Sequence, residues 1–97
     1  SVYIMASKII LFHVENNILP DLSKAELKEI RDGFYEELKN YPSGIRIDTY
    51  VNEDGVGICD WILPDEIEDP VKTVEEIVEK VLGEKPADPV VKVNKVI

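Results

Sequence analysis

Two well-marked helix starts divide this 97-residue sequence into short segments and constrain its fold more than any other feature. Ser23 with Glu26 three residues later forms a capping box ahead of an apolar stripe at helical spacing. Asp69 followed by Pro70 marks the second start, because aspartate caps helices and proline fits the first helical position. Gly83 marks the end of that second helix. The sequence therefore predicts two helices, with extended segments before, between and after them.

Four extended segments complete this pattern. Residues 9–14 are β-branched and aromatic, and residues 45–51 alternate between apolar and polar side chains. The turn at Asp54-Gly55 leads back into residues 56–63, which predicts a hairpin, and residues 90–97 form a last strand. The order β-α-β-β-α-β predicts an α+β, ferredoxin-like fold, in which a four-stranded antiparallel sheet carries both helices on one face.

The hairpin loop decides which side chains share a face of the sheet. A two-residue loop, at Glu53-Asp54 or at Asp54-Gly55, places odd positions of the first arm with even positions of the second. On this basis the helices cover Ile10, Phe12, Val14, Ile45, Ile47, Thr49, Val51, Val56, Ile58, Asp60 and Ile62. The opposite, open face then carries Ile9, Leu11, His13, Glu15, Arg46, Asp48, Tyr50, Cys59, Trp61 and Leu63. If the faces are exchanged, Asp60 joins the open face, and Cys59 and Trp61 enter the core.

The predicted open face is too apolar and aromatic to be left in water. Closed two-fold assemblies are the commonest way to cover such a face. The sequence thus predicts a homodimer in which two sheets meet face to face around a partly polar cavity.

Charge and composition exclude several classes of protein. Eleven basic against twenty acidic residues give a net charge of −9, which argues against nucleic acid and against anionic membranes as partners. No apolar run is long enough to cross a bilayer, and a single cysteine favours a cytoplasmic location. One cysteine also cannot hold an iron–sulfur cluster, and no nucleotide-binding glycine motif is present.

Two further expectations concern origin and boundaries. The sequence is rich in Lys, Glu, Ile and Val and contains no Gln, which is a pattern seen in thermophilic proteins. Met5-Ala6-Ser7-Lys8 reads as a natural start, which would make Ser1–Ile4 a non-native remnant or the product of an upstream start. The domain itself is predicted to begin at residue 8, after an N-terminal extension or remnant of residues 1–7. Residues 8–97 then form a single domain.

The candidate site residues follow from the predicted open face. His13 is the only histidine and could act as a base or a metal ligand, with Cys59 as a second, soft ligand. A small ligand in the cavity would meet His13, Glu15, Arg46, Asp48, Tyr50 and Trp61. Carboxylates could move protons, the arginine could hold an anion, and the aromatic rings could stack on a planar group. Packing within a dimer interface accounts for each of these residues as well.

The hairpin also resembles a known family. It reads Tyr50-Val51-Asn52-Glu53-Asp54-Gly55, followed by Cys59 and Pro64-Asp65. This pattern is similar to a family of small ferredoxin-like proteins catalogued as a domain of unknown function, one type of which is a nickel-binding, nickel-responsive protein. His13 matches the family's histidine at the end of the first strand, so the resemblance implies a dimer and a divalent metal such as nickel. The family's metal binders carry further histidines in the helices, whereas neither helix here contains one. A looser, topological likeness connects the chain to dimeric α/β-barrel proteins.

Three functions remain open at this point. The first is a dimeric cytoplasmic domain that binds a small ligand or a divalent metal in a cavity on the open face. The second is a cofactor-free enzyme of the dimeric α/β-barrel type, with His13 as the base and Arg46 or Tyr50 stabilising an anion. The third is a structural or regulatory interaction protein without a small-molecule site.

Overall fold

The computed structural model describes residues 6–13 and 21–97, and for His13 it describes the backbone alone. The elements are β1 (Ala6–His13), α1 (Lys24–Leu38), β2 (Arg46–Val51), β3 (Gly57–Pro64), α2 (Pro70–Leu82) and β4 (Val90–Val93). The strands form one antiparallel sheet in the order β2-β3-β1-β4. This arrangement is ferredoxin-like, as the sequence predicted.

Both helices begin where their capping residues predicted. The Ser23 hydroxyl accepts a hydrogen bond from Glu26 N, and the Glu26 carboxylate accepts one from Ser23 N, which confirms the capping box. The Asp69 carboxylate accepts from Lys72 N at 3.2 Å, with Pro70 as the first residue of α2. Gly83 ends α2 in the left-handed region at φ 83°. The last strand is shorter than expected, because β4 ends at Val93 whereas the predicted strand ran to residue 97.

The core lies between the two helices and one face of the sheet. Its buried members are Ile9, Leu11, Cys59, Trp61, Leu63, Val74, Ile77 and Val78. Helix α2 contributes three buried side chains, while α1 has none and packs Phe34 and Leu38 against the cluster from its edge. Lys80 Nζ links the two helices, at 3.3 Å from Glu37 Oε1 and 3.4 Å from the Tyr41 hydroxyl.

The predicted assignment of faces is wrong for β1 and β3. Ile9, Leu11, Cys59, Trp61 and Leu63 were expected on the open face, but all are at most 9% exposed beneath the helices. Conversely, Ile10, Phe12, Ile58, Asp60 and Ile62, expected beneath the helices, lie on the open face. The exchanged arrangement, with Asp60 on the open face and Cys59 and Trp61 in the core, is the correct one. For β2 the prediction holds, because Arg46, Asp48 and Tyr50 alternate with Ile47 and Thr49, which face the helices.

The hairpin loop is the physical reason for the error on β3, whereas β1 is apolar on both faces and its composition therefore favoured neither of them. Val51 pairs with Gly57, so the loop contains five residues, Asn52–Val56, and not two. The side-chain oxygen of Asn52 accepts hydrogen bonds from Asp54 N and Val56 N, both at 3.0 Å, which holds the longer loop closed. The register therefore differs by one residue from the predicted one, and such a slip moves every side chain of one arm to the opposite face.

Candidate functional site: the open face of the sheet

We use the name open face for the side of the sheet that the helices leave uncovered. Its described residues are Lys8, Ile10, Phe12, Arg46, Asp48, Tyr50, Ile58, Asp60, Ile62, Val91 and Val93. Phe12, Tyr50 and Val91 are exposed large apolar side chains on this face, and Tyr50 is 60% exposed. Scattered apolar exposure is ordinary, but adjacent aromatic and branched side chains on one sheet face mark a surface that binds something.

Charged groups on the open face balance each other. Lys8 Nζ donates a hydrogen bond to Asp60 Oδ2 at 2.7 Å and lies 2.6 Å from Oδ1 as a charge contact. Arg46 and Asp48 on β2 add one charge of each sign. The described part of the face therefore carries two positive and two negative residues, although the chain as a whole has a net charge of −9. The acidity of the protein lies elsewhere.

A shallow hollow lies where the open face meets the hairpin loop. Its volume is about 370 Å³, and its lining consists of Phe12, Tyr50, Val51, Asn52, Val56, Gly57 and Ile58. The Asn52 side-chain oxygen is already engaged by two backbone N–H groups of the loop. The lining is thus almost entirely apolar, and Tyr50 is the one lining residue with a side-chain hydroxyl. The sequence did not predict this hollow, because the five-residue loop that forms one wall was read as a two-residue turn.

Cys59 does not belong to the open face and is a poor metal ligand. It is 9% exposed in the core, with its Sγ 3.1 Å from the Thr49 hydroxyl oxygen. Burial raises the pKa of the Cys59 thiol to about 11, which outweighs the opposing effect of the Thr49 hydrogen bond. Metal binding requires the thiolate, so this environment works against it. Within residues 6–12 and 21–97, no three His, Cys, Asp or Glu side chains come together in a way that could hold a metal ion.

Trp61 was predicted to stack on a ligand at the open face, and this placement is wrong. Its side chain is fully buried in the core, and the ring of Phe34 approaches it edge-on at a centroid distance of 6.0 Å and an angle of 75°. An edge-to-face pair of this kind is a packing contact that stabilises the interior. The tryptophan therefore anchors α1 on the sheet.

The remaining predicted site residues divide into two groups. Arg46, Asp48 and Tyr50 lie on the open face, on alternate positions of β2. The His13 backbone pairs with Gly57, but its side chain lies outside the described structure, as does all of Glu15. Their roles in ligand or metal binding stay predictions. The sequence analysis missed Lys8 and Phe12, which the correct register brings to this face.

A membrane-spanning helix is not found among the described residues, since neither helix combines the required length with sufficient apolarity. A cytoplasmic location remains a prediction.

The comparisons with known proteins bear on the fold. No protein-family model and no curated protein matches this chain. A protein described as the de novo designed protein Ferredog-Diesel superimposes with a TM-score of 0.59 and 16% identity, covering 97% of this chain and 89% of the design. A REP-associated tyrosine transposase bound to a REP hairpin gives a TM-score of 0.53 and 14% identity, covering 99% of this chain and 62% of the transposase. At these identities the likeness shows the ferredoxin-like fold alone.

Proposed function

We propose that this domain is a binding module whose open face pairs with the open face of a second copy. The observation that carries the proposal is the combination of exposed apolar side chains with a zero charge balance on a chain of net charge −9. Two copies repel each other through most of their surface, because like charges disfavour approach. The described open face has no net charge and does not add to this repulsion, and burying its apolar side chains away from water is favourable.

The centre of the open face suits such a contact. The Lys8–Asp60 ion pair is already formed within one chain, with side chains 40% and 26% exposed. Covering it with a second sheet would bury a neutral pair and not an isolated charge, which is the less costly case. Ile10 and Val91 pair across the neighbouring strands and provide the apolar surface beside it.

Sedimentation equilibrium with two matched variants tests this proposal. Val91→Asp places a carboxylate within the open face, whereas Val96→Asp adds the same charge at a residue beyond β4 that is 93% exposed. We expect the wild type and Val96→Asp to associate equally and Val91→Asp to associate at least tenfold more weakly. Equal association of the two variants would remove the open face from consideration.

A second candidate function is the binding of a small apolar ligand in the hollow between Phe12 and Tyr50. Its volume of about 370 Å³ lies at the lower end of the range of ligand pockets. The rings offer stacking surface, and the Tyr50 hydroxyl can make one hydrogen bond, so the ligand class is an apolar or aromatic body with a single polar group. A second copy across the open face would turn the shallow hollow into an enclosed cavity.

A fluorescent apolar anion such as anilinonaphthalene sulfonate is a suitable probe for this hollow. Tyr50→Ala should weaken binding of the dye, while Tyr35→Ala serves as the matched control, because Tyr35 is a similarly exposed tyrosine on α1. Equal dye binding by both variants would count against the hollow. The divalent-metal form of the hypothesis, in which His13 is the ligand, is tested separately by calorimetric titration with nickel, zinc and copper.

A further inference from the structure

The outer edge of β2 is a second surface that the sheet leaves unpaired. The strand order places β2 at one edge, and five of its six residues are exposed. Natural proteins usually protect such edges with charged side chains, lysine above all, or with proline, a bulge or a very short strand. β2 has no lysine, proline or bulge, since it reads Arg-Ile-Asp-Thr-Tyr-Val and pairs with β3 without interruption. Its two charges are of opposite sign, so a second copy of the strand can neutralise them. The opposite edge, β4, is only four residues long and follows Pro89.

The ladder between β2 and β3 fixes which backbone groups point outward. Asn52 N donates to Val56 O at 2.9 Å across the base of the loop, so the position next to the last ladder pair, Val51 and Gly57, is of the hydrogen-bonded type. Hydrogen-bonded and non-hydrogen-bonded pairs alternate in an antiparallel ladder. The N–H and C=O groups of Tyr50, Asp48 and Arg46 therefore point toward β3. Those of Thr49, Ile47 and Ile45 point to the outside of the sheet.

We propose that β2 pairs antiparallel with β2 of a second copy, with Ile47 opposite the partner's Ile47. In this register the outward-facing backbone groups of Ile45, Ile47 and Thr49 all meet counterparts. Ile47 exchanges two hydrogen bonds with its symmetry mate, and Ile45 exchanges two with the partner's Thr49, once on each side of the two-fold axis. The two four-stranded sheets become one continuous sheet of eight strands.

Charge complementarity selects this register. Arg46 stands directly opposite the partner's Asp48, and two-fold symmetry makes this pair twice. The pair is of the non-hydrogen-bonded type, in which the side chains come closest, at a Cα separation of about 4.5 Å. Neither Arg46 nor Asp48 has an ion-pair partner among the described residues of its own chain. The neighbouring register, centred on Asp48, would place Asp48 opposite the partner's Asp48 and Arg46 opposite the partner's Tyr50, so it would oppose like charges and form no charge pair.

This interface is distinct from the open face. It uses the backbone of an edge strand, and it leaves the apolar surface around Phe12 and Val91 uncovered. Failure of the open-face proposal would therefore not remove it.

Charge exchange tests the register by sedimentation equilibrium. Arg46→Asp leaves two acids on the edge, and Asp48→Arg leaves two bases, so each variant alone should associate at least tenfold more weakly than the wild type. A one-to-one mixture of the two should recover the affinity as a heterodimer, and the variant carrying both substitutions should recover it as a homodimer. Lack of recovery in both cases would overturn the register, as would a wild type that remains monomeric.

Disulfide trapping provides an independent test. Ile47→Cys places two thiols opposite each other at a Cα separation of about 5.5 Å, which is within the range that a disulfide spans. Val51→Cys is the matched control on the same strand and face. In the proposed register residue 51 lies opposite residue 43 of the second copy, so the two introduced thiols would be eight residues apart along the strands. Oxidation should cross-link Ile47→Cys and leave Val51→Cys as a single chain. Equal cross-linking of the two, or none in a folded Ile47→Cys, would refute the pairing, since sheets stacked face to face lie about 10 Å apart.

Discussion

Gly57 at the start of β3 tests the hairpin register through a single added methyl group. A Cβ at this position would collide with the backbone oxygen of Tyr50 and lie 3.2 Å from Val51 Cα. The obstacle is backbone and not the end of a flexible side chain, so the two strands must separate to accept Ala. The Gly57→Ala variant should therefore be less stable than the wild type.

The magnitude follows from two opposing terms. Overpacking of this kind costs about 1–3 kcal/mol. Replacing Gly by Ala also restricts the unfolded chain, which favours folding by about 0.4–1 kcal/mol. The net loss of unfolding free energy is about 1.3 kcal/mol, or roughly 5–10 °C in melting temperature for a chain of this size.

Urea denaturation followed by the fluorescence of Trp61 is the assay, because Trp61 is the only tryptophan and is fully buried. Gly33→Ala in α1 is the matched control. A Cβ there meets only Val81 Cγ1, at 3.4 Å, and Ala is the better helix former by about 0.5–1 kcal/mol. The two identical substitutions should thus shift stability in opposite directions. A Gly57→Ala variant as stable as the wild type would refute the close approach of β2 and β3 and the register that depends on it.

Three further predictions follow from the buried thiol, a helix cap and the charge. Because burial raises the pKa of Cys59 to about 11 from 9.0, the folded state disfavours the thiolate. Stability should therefore be lost as pH rises between about 9 and 11, and at pH 8 a disulfide reagent such as dithionitrobenzoate should label Cys59 far more slowly in the folded than in the urea-unfolded protein. Asp69→Ala removes the acceptor of Lys72 N and should lower the unfolding free energy by about 1 kcal/mol in the same urea assay, whereas Asp65→Ala, at an exposed aspartate outside the helix, provides a comparison. With a net charge of −9, the protein should leave the fluorescence anisotropy of a labelled DNA hairpin unchanged even at low salt, and a rise that disappears on adding salt would contradict this reading.

Local signals in the sequence were sufficient for the fold. Ser23 with Glu26 and Asp69 with Pro70 act within one turn of their own helix, so the residues that specify each start are adjacent in sequence. The order of elements then leaves few ways to build a sheet with short connections. For this reason the ferredoxin-like arrangement was predicted correctly without any information about tertiary contacts.

The candidate site was harder to predict, because the side chains that share a face of the sheet depend on whether the hairpin loop has an odd or an even number of residues. Asp54-Gly55 suggested a two-residue turn, but the Asn52 side chain accepts hydrogen bonds from the backbone N–H groups two and four positions on and closes a five-residue loop. The length of that loop sets the register, which places Trp61 opposite Ile47 and Cys59 opposite Thr49 on the face that the helices cover. Both faces of β1 are apolar enough that composition could not settle the question. The Lys8–Asp60 pair, on strands far apart in sequence, became visible only once the register was known.

The uneven distribution of charge has a consequence for the protein in concentrated solution. Repulsion between two molecules depends on their mutual orientation, since the described open face has no net charge while the rest of the chain carries the excess acid. At low ionic strength the molecules behave as particles with one attractive patch, because like charges keep two molecules apart when any other part of their surfaces meets. Salt above the physiological range shortens the screening length to a few ångströms and suppresses this electrostatic repulsion. The second virial coefficient should then fall with added salt, because molecules that could approach only through their open faces can now approach in any orientation.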